Sequence, residues 1–403
     1  MNNILENKKI IDFINKYRWI LVFLCGIPFF NDTYVPIQSL LDRYMDHLKV
    51  FVVLLLAFLM FIRKKKISPL AIVLIIYEAW WMITTAINYP LSNQEAFYKT
   101  TIDIADILAM FLIVEYFLDT PEHLIKGLML NMELAIYPNF VTVILQNIPG
   151  DRYYLIGFYA VLILWLLPAI CVGAMHIILN KGYIRGSLLI AFSLLTSILV
   201  SCATTTVAFM GMFGFIILGL LLRKIPKTKD FKLPVWIFVL LAVLGSALIM
   251  VYSGGDFPLI DYFIEKVLHR TTHFTGRIHI WRAAIEMIKE KPIIGHGYRV
   301  NVTTVYNFTV IHCHNQLLQV LNVKGIIGLI IIAIFHIIMC KKIDKSQNTI
   351  SRLILSGAVF GVCITYMTEA YKKFFRLYLV FFLAYHVDEL IRNKLNSTDE
   401  LMK

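Results

Sequence analysis

The sequence predicts an all-α polytopic membrane protein, with about twelve transmembrane helices and one large extracytoplasmic loop between helices 9 and 10. Three observations carry that prediction. The 403 residues are 59% hydrophobic and 16% charged, and their mean hydropathy is +0.73. Apolar runs of about 17–25 residues, long enough to cross a bilayer as a helix, recur along the chain. Lys and Arg gather in alternate loops, as they do on the cytoplasmic side of membrane proteins. That bias explains the net charge of +12, so nucleic acid is not an expected partner.

The elements follow in order. The stretch "MNNILENKKIIDFINKYR" is basic and runs into apolar sequence without a small-residue cleavage site, so an uncleaved first helix is expected. Spans are expected over residues 18–33, 49–62, 68–88, 102–118, 124–146, 154–179, 187–202, 204–222, 234–253, 314–340, 352–369 and 374–390. The first two are short, and 187–222 also reads as one long helix. With the N-terminus cytoplasmic, the inner loops hold "RKKK" (63–66), "NKGYIR" (180–185), "RKIPKTKDFK" (223–232) and "KKIDK" (341–345). Most of the 38 Lys and Arg then lie inside. An even number of spans returns "RNKLNSTDELMK" to the cytoplasm. The chain is expected to be a single integral membrane domain, residues 1–403, in a bacterial cytoplasmic membrane. Cys25, Cys171, Cys202, Cys313, Cys340 and Cys363 form no CxxC and read as small buried hydrophobes.

One outer segment breaks the charge pattern. Residues 254–313 carry Lys266, Arg270, Arg277, Arg282, Lys289, Lys291 and Arg299. Long loops translocate regardless of charge, and loops of this length usually have a role. Inside it, "TGRIHIWRAAIEMIKEKP" (275–292) predicts an amphipathic helix over about 276–290, capped by Thr275 and stopped before Pro292. Ile278, Trp281, Ile285 and Ile288 share its apolar face, an arrangement suited to a membrane interface. Gly295 and Gly297 in "PIIGHGY" allow a tight backbone path.

The chain has no nucleotide-binding phosphate loop, no HExxH and no GxSxG. Chemistry is therefore expected within the membrane or at its outer surface, without ATP. His314 opens the tenth span. Counted at about 100° per residue, Leu318, Leu321, Gly325, Gly328 and Ile332 lie on its side of the helix. The glycines would admit a neighbouring helix and fix the helix end that carries His314. A histidine there can accept a proton near neutral pH; the alternative is an anchor at the headgroups. His312, Cys313 and His314, with His296 or His273, also permit a zinc reading. The i, i+2 histidines converge only on an extended chain and no carboxylate spacing supports them, so no metal and no cofactor are expected.

Outer cations form a second group: Arg277 and Arg282 in the loop helix, Arg152 in "PGDRYY", and Lys372, Lys373 and Arg376 between the last two spans. Arginine grips phosphate oxygens with two parallel hydrogen bonds, and as a set these residues read as an anionic-substrate site. For each one the alternative is lipid headgroups, or pairing with Glu369, Asp256 or Asp151. Glu78, Asp103, Asp106, Glu115 and Glu133 lie in spans and read as helix-pairing or cavity-lining groups, with ion coupling the alternative. Lys324 lies about 80° off the packing face of the tenth span and is expected to line a cavity or meet an acid such as Glu115.

Two of these stretches together resemble the O-antigen ligase and Wzy-type polysaccharide polymerase superfamily. The first is His314-Asn315, nine residues, then Gly325 and Gly328; the second is Gly276-Arg277, Trp281, then Pro292, Gly295 and Gly297. The close resemblance covers about residues 271–335. Where that family often carries an arginine on an earlier outer edge, this chain has "SCATTTVA" (201–208); Arg152 or the 372–376 cluster is the expected substitute. The resemblance implies a glycan donor on polyprenyl pyrophosphate, with Arg277, helped by other outer cations, holding the pyrophosphate; Arg282 is among the cations read above as binding the substrate. His314, helped by Asn315, would orient or deprotonate the acceptor sugar hydroxyl in an inverting, metal-independent displacement. It implies membrane lipids, chain-length regulators and flippases as partners. Polymerase is preferred because the lean outer surface offers no dock for a second acceptor type. A ligase, a transporter or flippase, and a non-catalytic scaffold are the alternatives, although no internal repeat or pair of broken helices favours a carrier.

Overall fold

The structure is a computed structural model that describes residues 16–30, 38–145, 153–228, 230–252, 262, 277–298, 303–305, 308–310, 312–367, 369–370 and 374–401. It is a helical bundle. In chain order the helices are α1 (Arg18–Phe30), α2 (Gln38–Ile62), α3 (Pro69–Asn88), α4 (Gln94–Tyr116), α5 (Pro121–Leu145), α6 (Ile163–Asn180) and α7 (Tyr183–Val200). Then follow α8 (Ala203–Lys224), α9 (Val235–Tyr252), α10 (Arg277–Glu290), α11 (Gln316–Lys345), α12 (Ile350–Thr365), α13 (Phe375–Tyr385) and α14 (Val387–Leu401). Two antiparallel hairpins, β1–β2 (Tyr153–Tyr154, Gly157–Phe158) and β3–β4 (Thr303–Val305, Phe308–Val310), sit in the connections.

Every expected span overlaps a helix, although 154–179 begins in the β1–β2 hairpin and 374–390 runs across the junction of α13 and α14. By length and composition, seven helices among the described residues can cross a membrane: the Tyr44–Ile62 part of α2, α3, α5, the Tyr159–Asn180 segment containing α6, α7, α8 and α11. Shorter apolar helices are α1, Val235–Leu248 of α9, α12 and α13. α4 stands apart because it carries Glu95, Lys99, Asp103, Asp106 and Glu115. Local sequence sets several boundaries. The Ser68 side chain accepts from Ala71 N ahead of Pro69, while Asn93, Asn315 and Thr349 cap α4, α11 and α12 in the same way. The apolar run 187–222 divides where Ser201 turns left-handed, at φ 52°.

The interior lies around α6 and α13. All eleven residues of α13 are buried, whereas α2, α7 and α8 present rows of exposed Leu, Ile and Phe, as lipid-facing helices do. The embedded acids pair across helices. Asp106 lies 3.1 Å from Lys49 Nζ, Glu133 takes two hydrogen bonds from Arg185, and Glu115 accepts from Ser68 and meets His386 Nε2 at 3.3 Å.

Three expectations are corrected. Lys324 lines a cavity and meets an embedded acid, as expected, but the acid is Glu78, at 3.3 Å, and not Glu115; its ammonium also stands over Tyr77 and Trp81, 3.4 and 4.5 Å from the ring centroids. The cause is that α11 packs on α3, while Glu115 lies at the far end of α4 beside Ser68. Next, Trp281 of α10 does not face lipid. It is fully buried with Ile280 and Ala284 against Cys313 and Leu318. The loop helix is docked on the start of α11, so protein occupies the face expected to touch the membrane.

Gly325 is the third. It does not lie on a smooth helix against another helix: it breaks α11, with φ 63° and ψ −167°, a conformation open essentially to glycine alone. The loop segment Pro292–Gly297 fills the break. His296 N donates to Asn322 O (2.8 Å), Gly297 N to Val323 O (2.9 Å), and Ile326 N to Pro292 O (2.9 Å). The Trp80 indole donates to Lys324 O at 2.8 Å. A Cβ on Gly295 would stand 2.6 Å from Gly325 N, and one on Gly325 would stand 2.2 Å from Ile293 O. The two glycine motifs thus interlock. Gly325→Ala is expected to destabilise the protein by about 3 kcal/mol or more, from conformational strain plus backbone collision. Its thermal midpoint in detergent, against wild type, is the check; an unchanged midpoint would show that the break is not held as described.

Candidate functional site

The site is assembled at the entrance of α11. The Asn315 side chain caps the helix by accepting from Leu318 N, and its amide donates to Ser246 Oγ (2.9 Å) and Met367 O (3.3 Å). Gln316 N donates to Tyr366 O at 2.9 Å. These bonds tie the end of α12 to the start of α11 and bring Glu369 beside His314. His314 itself is left-handed, with φ 46°. For a non-glycine residue that conformation costs on the order of 1–3 kcal/mol and is typical of functional positions.

Three side chains meet there. His314 Nδ1 lies 2.9 Å from Glu369 Oε2, and Arg277 binds the other carboxylate oxygen, Oε1. The Glu369 side chain is 5% exposed, against 25% for His314 and 21% for Arg277. The acid is therefore sealed behind two groups that reach outward. A carboxylate at Nδ1 selects the tautomer with the proton on Nδ1, which leaves Nε2 as an acceptor. Burial by itself would raise the Glu369 carboxyl; the hydrogen bond from His314 and the charge of Arg277 outweigh it and hold the group below its ordinary value. His312 packs edge-on to His314, with ring centroids 4.1 Å apart. Burial, and then the neighbouring His314, push its imidazole down to about 4.

These shifts give the site an acid limit. A carboxylate with a depressed folded value stabilises above its unfolded value, and that stability is lost as pH falls through the folded value. A histidine held neutral likewise begins to favour unfolding once pH drops below its free value of 6.5, and the loss runs down to about 4. Thermal stability is expected to fall between about pH 6.5 and 4, and His312→Gln should flatten the upper part of that decline. Melting curves of both proteins across this range test it; parallel curves would contradict the His312 assignment.

The other residues expected from sequence fall differently. Asn315, expected to bind substrate, is fully buried and its amide is committed to the fold. Arg376 is buried within α13, where Nε donates to Phe29 O at 3.0 Å and the guanidinium lies 3.7 Å from the Trp165 ring centroid; it braces the interior instead of facing outward. Arg282 is exposed on α10, about 140° around the helix from Arg277. Arg152, Lys372 and Lys373 lie outside the described residues, as do His273, Asp151 and Asp256. His296 donates from Nε2 to Met287 O, and no three His, Cys, Asp or Glu among the described residues gather as metal ligands. Glu369 was legible only as a partner for an arginine. The signal for its larger role is that it is the acid of the short connection "MTEAYKK".

Two cavities flank the start of α11 and share Gln316, Val320 and Tyr378. One, of about 630 Å³, is mostly apolar and follows α11 from Gln316 to Asp344, with Trp236, Val243, Leu329 and Ile337 on its walls. The other is smaller, also mostly apolar, with Asp103, Asp106, His312 and Lys324 on its wall.

Comparison with known proteins finds three likenesses. Residues 188–333 match the family Wzy_C, described as O-Antigen ligase. The chain is 27% identical over 197 residues to the exopolysaccharide production protein ExoQ of Rhizobium meliloti, covering 44% of this chain and 42% of the relative. It is 25% identical over 228 residues to a Rickettsia felis protein named "Putative polysaccharide ligase", covering 53% of this chain and 50% of that one. The chain thus spans about half the length of the relatives it matches.

Proposed function

From its place in the O-antigen ligase and Wzy-type superfamily, we propose that the chain polymerises the repeat units of a surface polysaccharide. It transfers glycan from a polyprenyl-pyrophosphate donor to a sugar hydroxyl at the outer face of the membrane. The observation that carries this reading is the Glu369 carboxylate held between His314 and Arg277.

The chemistry follows from that arrangement. His314 Nε2 takes the proton of the acceptor hydroxyl, while Glu369 fixes the ring and stabilises the imidazolium that forms. The hydroxyl oxygen bonds to the anomeric carbon as the bond from that carbon to phosphate breaks, with inversion. Arg277 stabilises the charge gathering on the departing pyrophosphate. The reading assigns this stabilisation to arginine and invokes no metal or cofactor. Arg282, exposed on the same helix, adds to the field that attracts the donor. The 630 Å³ apolar groove suits the polyprenyl chain, because it begins at Gln316, two residues from His314.

In this reading twelve helices cross a bacterial cytoplasmic membrane, both termini are cytoplasmic, and residues 254–313 lie outside. Flippase and chain-length-regulating proteins are its partners. The names of the matched family and of the Rickettsia relative favour a second reading, ligation to a different acceptor. Purified protein supplied with lipid-linked repeats separates the possibilities. A ladder of lengthening glycans supports polymerisation. Transfer only to a different added acceptor supports ligation. Movement of the repeats between leaflets without new glycosidic bonds overturns both.

A further inference from the structure

Helix α3 lies outside the residues matched by the family, 188–333, yet it grips the break in α11. Four of the five residues in "YEAWW" (77–81) meet Lys324. The Glu78 carboxylate pairs with its ammonium, which stands over the Tyr77 and Trp81 rings, and the Trp80 indole donates to its carbonyl. The Glu78 and Lys324 side chains are 1% and 5% exposed. The same helix then reaches the returning loop. Asn88 donates from Nδ2 to Gly295 O at 3.0 Å and accepts from Lys291 Nζ at Oδ1. Tyr89 Oη donates to Tyr298 O at 2.8 Å, and a Cβ on Gly297 would stand 2.7 Å from Thr84 O. α3 therefore holds both partners of the interlock at once.

A buried ion pair is a poor source of stability. Desolvating the two charges offsets most of their attraction, and apolar residues of similar volume often do as well or better. What such a pair supplies best is register, because both charges are satisfied in one alignment only. A slipped alignment costs more inside a membrane, where no bulk water takes up a stranded charge. Register matters here because the loop leads back into α10. His296 ties the loop to the last turn of that helix through Met287 O, at 2.8 Å. α10 is thus aimed by two supports. The buried Trp281 is one, about 6 Å along the axis from Arg277, and the clasp beyond Glu290 is the other, about 20 Å away. A shift of about 2 Å at the clasp, pivoting on Trp281, moves Arg277 by about 1 Å. Misplacement of that size can lower a rate about 10²-fold.

We infer that Glu78 and Lys324 are positioning residues for glycan transfer: their pair keys α3 to the break in α11, and α3 so keyed holds the far end of the helix that carries Arg277. The inference rests on the transfer reading above and on the role given there to Arg277, and it adds the element that aims that residue. Lys324 immediately precedes Gly325, so the pair acts at the point where α11 is interrupted.

The test uses the full chain in nanodiscs. Glu78→Leu combined with Lys324→Met replaces both charges by apolar groups of similar volume, so the thermal midpoint is expected at or above that of wild type. Hydrogen exchange without substrate, at the amides of residues 293–298 and 322–327, is expected to quicken about tenfold. Transfer is then measured with the native polyprenyl-linked repeat as donor and a fluorescent repeat on a short-chain lipid as acceptor. There kcat is expected to fall about tenfold, with acceptor KM within about twofold of wild type. Asn88→Ala loosens the clasp from the loop side and leaves the ion pair in place. Its kcat is expected to fall about fivefold, the worth of one hydrogen bond, and it decides the matter if the double variant unfolds early. Wild-type exchange and kcat in the double variant overturn the inference. Faster exchange with wild-type kcat overturns it too, since the clasp then serves the fold alone. Wild-type exchange with a lowered kcat replaces it by a direct action of Lys324 on substrate. Failure of wild type to form any glycosidic bond removes the transfer reading and this role with it, while exchange still reports whether the pair keys the helices.

Discussion

His314→Ala is expected to lower glycan transfer by about 10²–10⁴-fold, the usual worth of a general base, at unchanged donor Kd. His314→Gln should be no better, because an amide hydrogen-bonds but does not take the proton. Glu369→Gln preserves the shape and the hydrogen bond to Nδ1 but removes the charge that stabilises the imidazolium, so an intermediate loss is expected, with the pH–rate profile displaced. Initial rates with purified protein across pH are the measurement. Full activity in His314→Ala would end the assignment. A pure loss of thermal stability, with normal turnover of the folded fraction, would show that His314 serves only to pin the loop to α12.

The second large effect is at Arg277. Arg277→Ala is expected to lower turnover by about 10²–10³-fold, the range seen when one charge-stabilising donor is removed from a transition state. Arg277→Lys should recover only part of it, since an ammonium lacks the planar fork that matches phosphate. Arg277 makes an ion pair with Glu369 as well as the contact with substrate proposed above, and a second variant separates the two. In Glu369→Gln the ion pair is gone but Arg277 remains, so donor affinity is expected to survive there and to weaken in Arg277→Ala. Equal donor affinity in all three proteins would confine Arg277 to a structural role.

The helices were legible because lipid demands long apolar runs, and each expected span overlaps a helix, seven of them, among the described residues, long and apolar enough to cross a membrane. His314 and Arg277 were legible because they sit in two spaced motifs, and the structure brings both to Glu369. Position around a helix axis was harder to read. The count of 100° per residue down α11 assumed an unbroken helix, and the left-handed Gly325 resets it. Trp281 has the composition of an interfacial anchor, yet nothing local distinguishes lipid from a docked partner such as Cys313 or Leu318. Lys324 and Glu78 are 246 positions apart, so only the packing of α3 on α11 reveals the pair. Arg376 illustrates the converse, since a cation near a predicted outer edge looks the same in sequence whether it faces water or the Trp165 ring.

The lock between Pro292–Gly297 and the break in α11 makes chain length itself a ruler. His314 is held at one end by Glu369, and Gly325 is clasped at the other by the returning loop. One residue more or less between them would turn the end that carries His314 about 100° and shift it about 1.5 Å along the axis. The histidine would then swing off its carboxylate even with every motif residue intact. Substitutions along the intervening turns keep this register and insertions do not, so the interval from His314 to Gly325 is constrained in number more tightly than in kind.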